Sequence, residues 1–182
     1  MEVILEAAAQ LFQRHGYASA TTNKIAERAG VSVGSLYQYF PNKDALLLAL
    51  AEQHLDAAAR IFAATFAEFT DEDLPAVLRV LVARVAELHT DRPELHRLLF
   101  DQAPRTPELV AAFRRTEREI ADRLADQLRR LGVGGSSPEL TALLVVQGIE
   151  AQIHGAMLDP PSGRTPAEVV VAVEHLWTEA LG

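Results

Sequence analysis

At 182 residues the chain can bury a sizeable core, as one domain or as a small domain joined to a medium one. Its 49% hydrophobic and 23% charged residues exclude broad disorder, and the absence of cysteine excludes disulfides, thiolate catalysis and Cys-ligated metal. The formal net charge of −8 stands, taken whole, against a nucleic-acid partner.

Two further classes fall away at the same level. The longest charge-free apolar run, residues 140–149, is too short to span a membrane. The opening residues carry Glu2 and Glu6 and no basic segment, so they do not read as a secretory signal. A cytoplasmic location is expected.

Residues 2–15 predict a first helix. Ile4, Ala8, Leu11 and Phe12 form its inner stripe, and Gly16 stops it. The next stretch, residues 21–43, reads TTNKIAERAGVSVGSLYQYFPNK: two short helices joined by a tight turn. Thr22 suits an N-cap, where a hydroxyl accepts from an otherwise unpaired backbone N–H. Ile25, Ala26 and Ala29 give the first of these helices an apolar face, and Gly30 sits where a left-handed residue would end it. Val31 plugs the turn and Ser32 caps the second helix. There Leu36 and Phe40, four apart, point inward, while Ser35, Tyr37, Gln38 and Tyr39 occupy the outer side. Pro41 ends the helix.

That is a helix-turn-helix pattern, in which the second helix enters the DNA major groove. Two residues fit DNA better than they fit folding alone. Gly34, near the start of the second helix, costs about 1 kcal/mol relative to alanine, and its missing side chain lets the backbone approach a base edge. Lys43 lies in the first turn of the next helix, after the N-cap Asn42, where a cation is unfavourable. A phosphate resolves that conflict. Charge is also unevenly spread. Residues 1–43 hold four cations (Arg14, Lys24, Arg28, Lys43) against three carboxylates (Glu2, Glu6, Glu27), a net of +1, so the remainder carries −9.

The run ILEAAAQLFQRHGYASATTNKIAERAGVSVGSLYQYFPNKDALL resembles the N-terminal domain of the tetracycline-repressor (TetR) family of bacterial transcriptional regulators. The resemblance rests on the apolar first helix, the Gly16-Tyr17 break, Thr21-Thr22, the IAERAGVS turn, GSLYQYF and the closing NKDALL. It covers about the first quarter of the chain. It implies a DNA-binding domain over residues 1–43 and a helical ligand-binding and dimerisation domain over residues 44–182. It also implies a homodimeric repressor on a palindromic operator, released when a small-molecule effector tilts the long fourth helix. Family members usually carry a basic arm before the first helix. This sequence opens almost at that helix, so the arm is expected to be absent or lost.

Onward from Asn42 a long helix is predicted to about Phe69, with no Gly/Ser-rich linker, so the two parts should be mechanically coupled. Leu74, Val77, Leu78, Leu81, Val85 and Leu88 mark the next helix, behind an acidic entrance at Asp71-Glu72-Asp73. Asp91-Arg92-Pro93 breaks it, a short helix spans about residues 94–102, and Pro104 and Pro107 bracket a turn. Residues 108–131 are strongly amphipathic, with Leu109, Phe113, Ile120, Leu124, Leu128 and Leu131 on one side. After the glycine-rich loop at 132–137, helices are predicted over 138–158 and 166–180, separated by a loop at 159–163. The expected fold is all-α, with about nine helices.

The last two helices are richer in apolar residues than one buried face requires. Leu143, Ile153, Val169, Val173, Leu176 and Trp177, with the polar Glu150, are assigned to a two-fold dimer interface. Phe62, Phe66, Phe100 and Phe113 are candidates to line an apolar effector pocket, with Gln147 or His154 as polar anchors. Of the DNA-facing stretch, Thr22, Ser35, Tyr37 and Lys43 are assigned to phosphates. Val33, Gly34, Gln38 and Tyr39 are assigned to base edges, with Asn23 in support.

No nucleophile elbow, phosphate-binding glycine loop, HExxH or catalytic carboxylate pair occurs, so no enzyme and no cofactor is expected. His89 and His96 read as satisfied or exposed histidines rather than as a metal pair, because a helix break separates them and no carboxylate pattern accompanies them. The competing reading is a helical interaction module of the same fold that has lost operator binding, favoured by the weak positive charge of residues 1–43.

Overall fold

The computed structural model describes residues 1–69, 73–91, 93–159 and 162–181. Among these residues the chain is all-α, with nine α-helices, one π-helical turn and no strand. The helices are α1 (Glu2–Ser19), α2 (Thr22–Ala29), α3 (Val33–Tyr39), α4 (Lys43–Glu68), α5 (Leu74–Asp91), α6 (Pro93–Arg97), α7 (Pro107–Leu131), α8 (Pro138–Leu158) and α9 (Pro166–Leu181). The π turn, Leu98–Gln102, follows α6 directly. No helix of the described residues is long and apolar enough to cross a membrane.

The element bounds follow the sequence pattern closely, with two differences. Gly16 does interrupt α1, at φ 73° and ψ 159°, but one further turn resumes after it and carries Tyr17 back over Phe12. A side chain at that positive φ would be strained, which is why glycine stands there. The short helix predicted over 94–102 changes pitch at Leu98, whose side chain and that of Leu99 are both fully buried. Of the predicted acidic entrance to α5, Asp73 caps the helix by accepting from the Ala76 N–H at 2.9 Å. Asp71 and Glu72 lie outside the described residues, as do Arg92, Pro160 and Pro161 of the two predicted breaks.

Packing divides the chain into two compact units: residues 1–55 with 92–112, and residues 56–91 with 113–182. The division falls inside α4. In the first unit α1 packs on α2 and on the π turn, and α2 packs on α3. Its centre is built from Ile4, Leu5, Phe12, Ile25, Leu36 and Leu46, all at most 3% exposed. The second unit has its own core, in which α5 packs on both α8 and α9. Leu78, Val82, Leu124, Leu128, Val145 and Ile149 are fully buried there. Each unit therefore removes its apolar stripes from water on its own, at about 25 cal/mol for each Å².

Candidate functional site

The helix-turn-helix is fixed by its caps. The N-cap of α2 is Thr21, whose Oγ1 accepts from the Lys24 N–H at 3.3 Å. This corrects the sequence expectation, which placed the cap at Thr22. Both threonines satisfy the cap preference, and only the backbone decides: Thr21 has the extended φ −116° and ψ 152° that a cap needs. Gly30 closes α2 in the left-handed region, at φ 67° and ψ 28°. Ser32 caps α3 by accepting from the Ser35 N–H at 2.9 Å. Leu36 and Phe40 are buried beneath α3, and the helix stops at Tyr39 ahead of Pro41.

This anchoring fixes what α3 presents outward. Val33, Gly34, Tyr37, Gln38 and Tyr39 are all exposed, and Ser35 is half-buried. A Cβ built on Gly34 would meet nothing nearer than Ser32 Oγ at 3.7 Å. The fold itself does not demand glycine at this position.

The candidate phosphate contacts are partly linked to one another. Thr22, freed from capping, places its Oγ1 3.0 Å from the Tyr37 hydroxyl, so side chains of α2 and α3 form one polar pair. Asn23 is exposed beside them. Lys43 has an intramolecular role that its sequence position does not reveal. Its Nζ donates to the carbonyls of Tyr17, at 2.7 Å, and Ala18, at 3.4 Å, and lies 4.2 Å from the centre of the Tyr17 ring. The cation thus caps the carbonyl end of α1, a favourable place for positive charge. Tyr17 in turn donates to the Asp44 carboxylate. Burial, then that hydrogen bond and the carboxylate's charge, raise the Tyr17 phenol above its ordinary range, so it remains a neutral donor. The cap of α4 is Asn42, whose Oδ1 accepts from the Ala45 N–H at 2.8 Å.

In the second unit, Phe62 and Phe66 are buried in the core, and Phe66 meets Phe69 edge-on at 5.9 Å. Phe113, at the start of this unit along α7, is half-buried. Phe100 belongs to the first unit, where its ring stacks on His96 at 4.1 Å. Gln147 is exposed, and its amide donates to Glu117 at 3.3 Å. His154 is half-buried, with its ring centre 5.5 Å from that of His89, and the His89 Nε2 lies 3.5 Å from Glu150 Oε1. The sequence separates His89 from Glu150 and His154 by α6, the π turn and α7, which hides this grouping from any spacing rule.

On α8 and α9, Ile153 and Val173 are 0% and 5% exposed because they complete the unit's own core. Leu143, Val169 and Trp177 are half-buried. Trp177 lies over Gly148, and its Nε1 donates to Gln152 Oε1 at 3.0 Å. A Cβ on Gly148 would stand 2.2 Å from Trp177 Cζ2, so only glycine admits this ring. Large apolar side chains nonetheless remain at the surface: Leu144 is 53% exposed and Leu176 52%. Between the two helices runs an open groove of about 300 Å³, lined by Gln152, Ala156, Val169, Val173 and Leu176 among others.

Two family models match the chain. Residues 4–50 match that of bacterial regulatory proteins, tetR family, and residues 73–175 match the tetracyclin repressor-like, C-terminal domain. An uncharacterized HTH-type transcriptional regulator of Bacillus subtilis, YvkB, is 29% identical over 132 residues, covering 72% of this chain and 67% of that protein. The HTH-type transcriptional regulator RutR of Escherichia coli is 35% identical over 98 residues. That match covers 53% of this chain and less than half, 44%, of RutR. Among solved structures, the SmeT–triclosan complex aligns with a TM-score of 0.73 and 25% identity over 99% of this chain and 90% of that one. With a capped helix-turn-helix at one end and the family's second domain over more than half its length, the chain belongs to the TetR family of bacterial regulatory proteins: it is a DNA-binding transcriptional regulator.

Proposed function

We propose that the protein represses transcription in the cytoplasm as a homodimer on a palindromic operator. A small molecule binding in its C-terminal domain would release it. The functional boundary falls near residue 43, where α4 begins. The observation that carries the reading is the outer face of α3. It is exposed at Val33, Gly34, Tyr37, Gln38 and Tyr39, firmly seated by Leu36 and Phe40, and bears a glycine in open space where a duplex could come close.

The contacts divide by chemistry. Thr22, Ser35, Tyr37 and the remaining donor capacity of Lys43 hold phosphates, which set register. Val33, Gly34, Gln38 and Tyr39 meet base edges, with Asn23 at the margin. Gln38 is the side chain able to make a paired contact to adenine, worth about 1–3 kcal/mol of discrimination. A seven-residue α3 reads few bases, so two copies on a two-fold site are needed. The exposed apolar side chains of α8 and α9 offer the surface for that pairing. An apolar or aromatic effector suits the second unit, where Phe62, Phe66 and Phe113 supply apolar surface and Gln147 or His154 could orient it. The solved complex of SmeT with triclosan supports an effector of this kind. Whatever its identity, the effector acts only through a difference in affinity between the DNA-binding and released states.

Fluorescence anisotropy on DNA flanking the protein's own gene tests the reading. Gln38→Ala should relax preference at particular base pairs and leave the salt slope nearly unchanged, whereas Tyr37→Phe should weaken all sequences alike. A folded wild-type dimer that binds no fragment would favour the competing reading, an interaction module that has kept the fold. The low positive charge of residues 1–43 is the observation on that side.

A further inference from the structure

We infer that the second unit carries a binding site for a divalent first-row transition ion of the zinc type, built from His89 of α5 and Glu150 and His154 of α8. One donor atom from each of these three side chains falls within a single sphere, all within 4.8 Å of one another. Glu150 and His154 are four apart on one helix and so share a face. His89 meets them from the helix packed alongside.

The role of the His89 Nδ1 is fixed by its backbone partner. Its Nδ1 lies 2.8 Å from the Val85 carbonyl oxygen. A carbonyl only accepts, so Nδ1 carries an N–H, and Nε2 is the ring nitrogen turned toward Glu150. Histidine ligands are commonly oriented in this way, by a carbonyl held on the other nitrogen. The His89 Nε2 to Glu150 Oε1 distance is 3.5 Å. Bonds of about 2.0–2.1 Å to a tetrahedral ion place two donors about 3.4 Å apart. That edge of the polyhedron is therefore already set, and modest side-chain rotation brings in His154.

The donor set also selects the ion. Two imidazoles and one carboxylate suit zinc, cobalt or nickel. Magnesium and calcium require mostly oxygen ligands, and only one is present. The His89 side chain is 1% exposed and that of Glu150 28%, and the atoms His89 Nε2, Glu150 Oε1 and His154 Nδ1 are themselves buried, so the site is dry.

The test uses the full chain, stripped with chelator and titrated with zinc by calorimetry in the absence of DNA, then with cobalt by visible absorption. The expected result is one zinc per chain and a tetrahedral cobalt spectrum. Glu150→Gln and His154→Ala should each weaken zinc binding by at least about 10-fold while far-ultraviolet circular dichroism stays native. His175→Ala, an exposed histidine on α9, should bind as the wild type does. Should His154→Ala fail to fold, the half-exposed and nearly isosteric Glu150→Gln decides alone. Folded wild type that takes up no stoichiometric zinc, or a Glu150→Gln variant that binds it undiminished, overturns the site. No DNA enters the titration, so its failure leaves the operator reading untouched.

Discussion

Gly148 and Trp177 are a pair in which one residue has no side chain so that the other can lie flat. The Trp177 ring occupies the space where a Cβ at position 148 would stand, 2.2 Å from Cζ2, while its indole N–H is held by Gln152. Gly148→Ala forces the ring outward and breaks that bond. Overpacking of this kind costs roughly 1–3 kcal/mol. The variant should melt at lower temperature than the wild type, and its single tryptophan should emit further to the red. Unchanged emission would mean that the ring does not rest on Gly148. Lys43 is a second residue whose role is local. It joins two carbonyls at the end of α1 and the face of Tyr17. Lys43→Ala should lose about 1 kcal/mol in urea denaturation with no DNA present. Stability equal to the wild type's would return Lys43 wholly to the DNA.

Helix α2 gives the clearest case at the level of an element. Eight residues cannot hold a helix by propensity alone, because nucleation is costly and the helix spans barely two turns. Its ends make the difference, with Thr21 accepting at one and Gly30 turning left-handed at the other. The adjacent threonines should therefore separate by experiment. Thr21→Ala should cost about 1 kcal/mol of folding stability. Thr22→Val, which removes only the hydroxyl facing Tyr37, should cost less and act mainly on DNA affinity. Equal losses of stability from both would mean that the cap is shared. Helix α3 shows the same economy: Ser32 starts it, Phe40 and Pro41 finish it, and Leu36 seats it.

For the molecule as a whole, assembly bears on α8 and α9. Ile153 and Val173 complete the interior, so a second copy would meet Leu144 and Leu176, each more than half exposed. The paired substitutions Leu144→Glu and Leu176→Arg should leave each chain folded, since neither residue supports the core. They should convert the proposed dimer to monomer in sedimentation at micromolar concentration. A wild type that already sediments as a monomer there would defeat the proposed pairing, and with it two-fold reading of an operator.

The sequence alone determined the all-α class, nearly every helix bound and the inward and outward faces of α3. Those features are local: periodicity near 3.6, Gly30, Ser32 and Pro41 act within a few residues of where they stand. It could not choose between Thr21 and Thr22 as the cap, because both hydroxyls suit and the decision lies in one pair of backbone dihedrals. Nor could it reveal that Lys43 serves the end of α1, since that partner lies 26 residues away. It also distributed the apolar residues of α8 and α9 to one interface, where tertiary packing sends Ile153 and Val173 inward and leaves Leu144 and Leu176 at the surface. The meeting of His89 with Glu150 and His154 is decided at the same level. Three donors share one sphere only because α5 and α8 pack together, and helical periodicity carries no information about which helix a given face will meet.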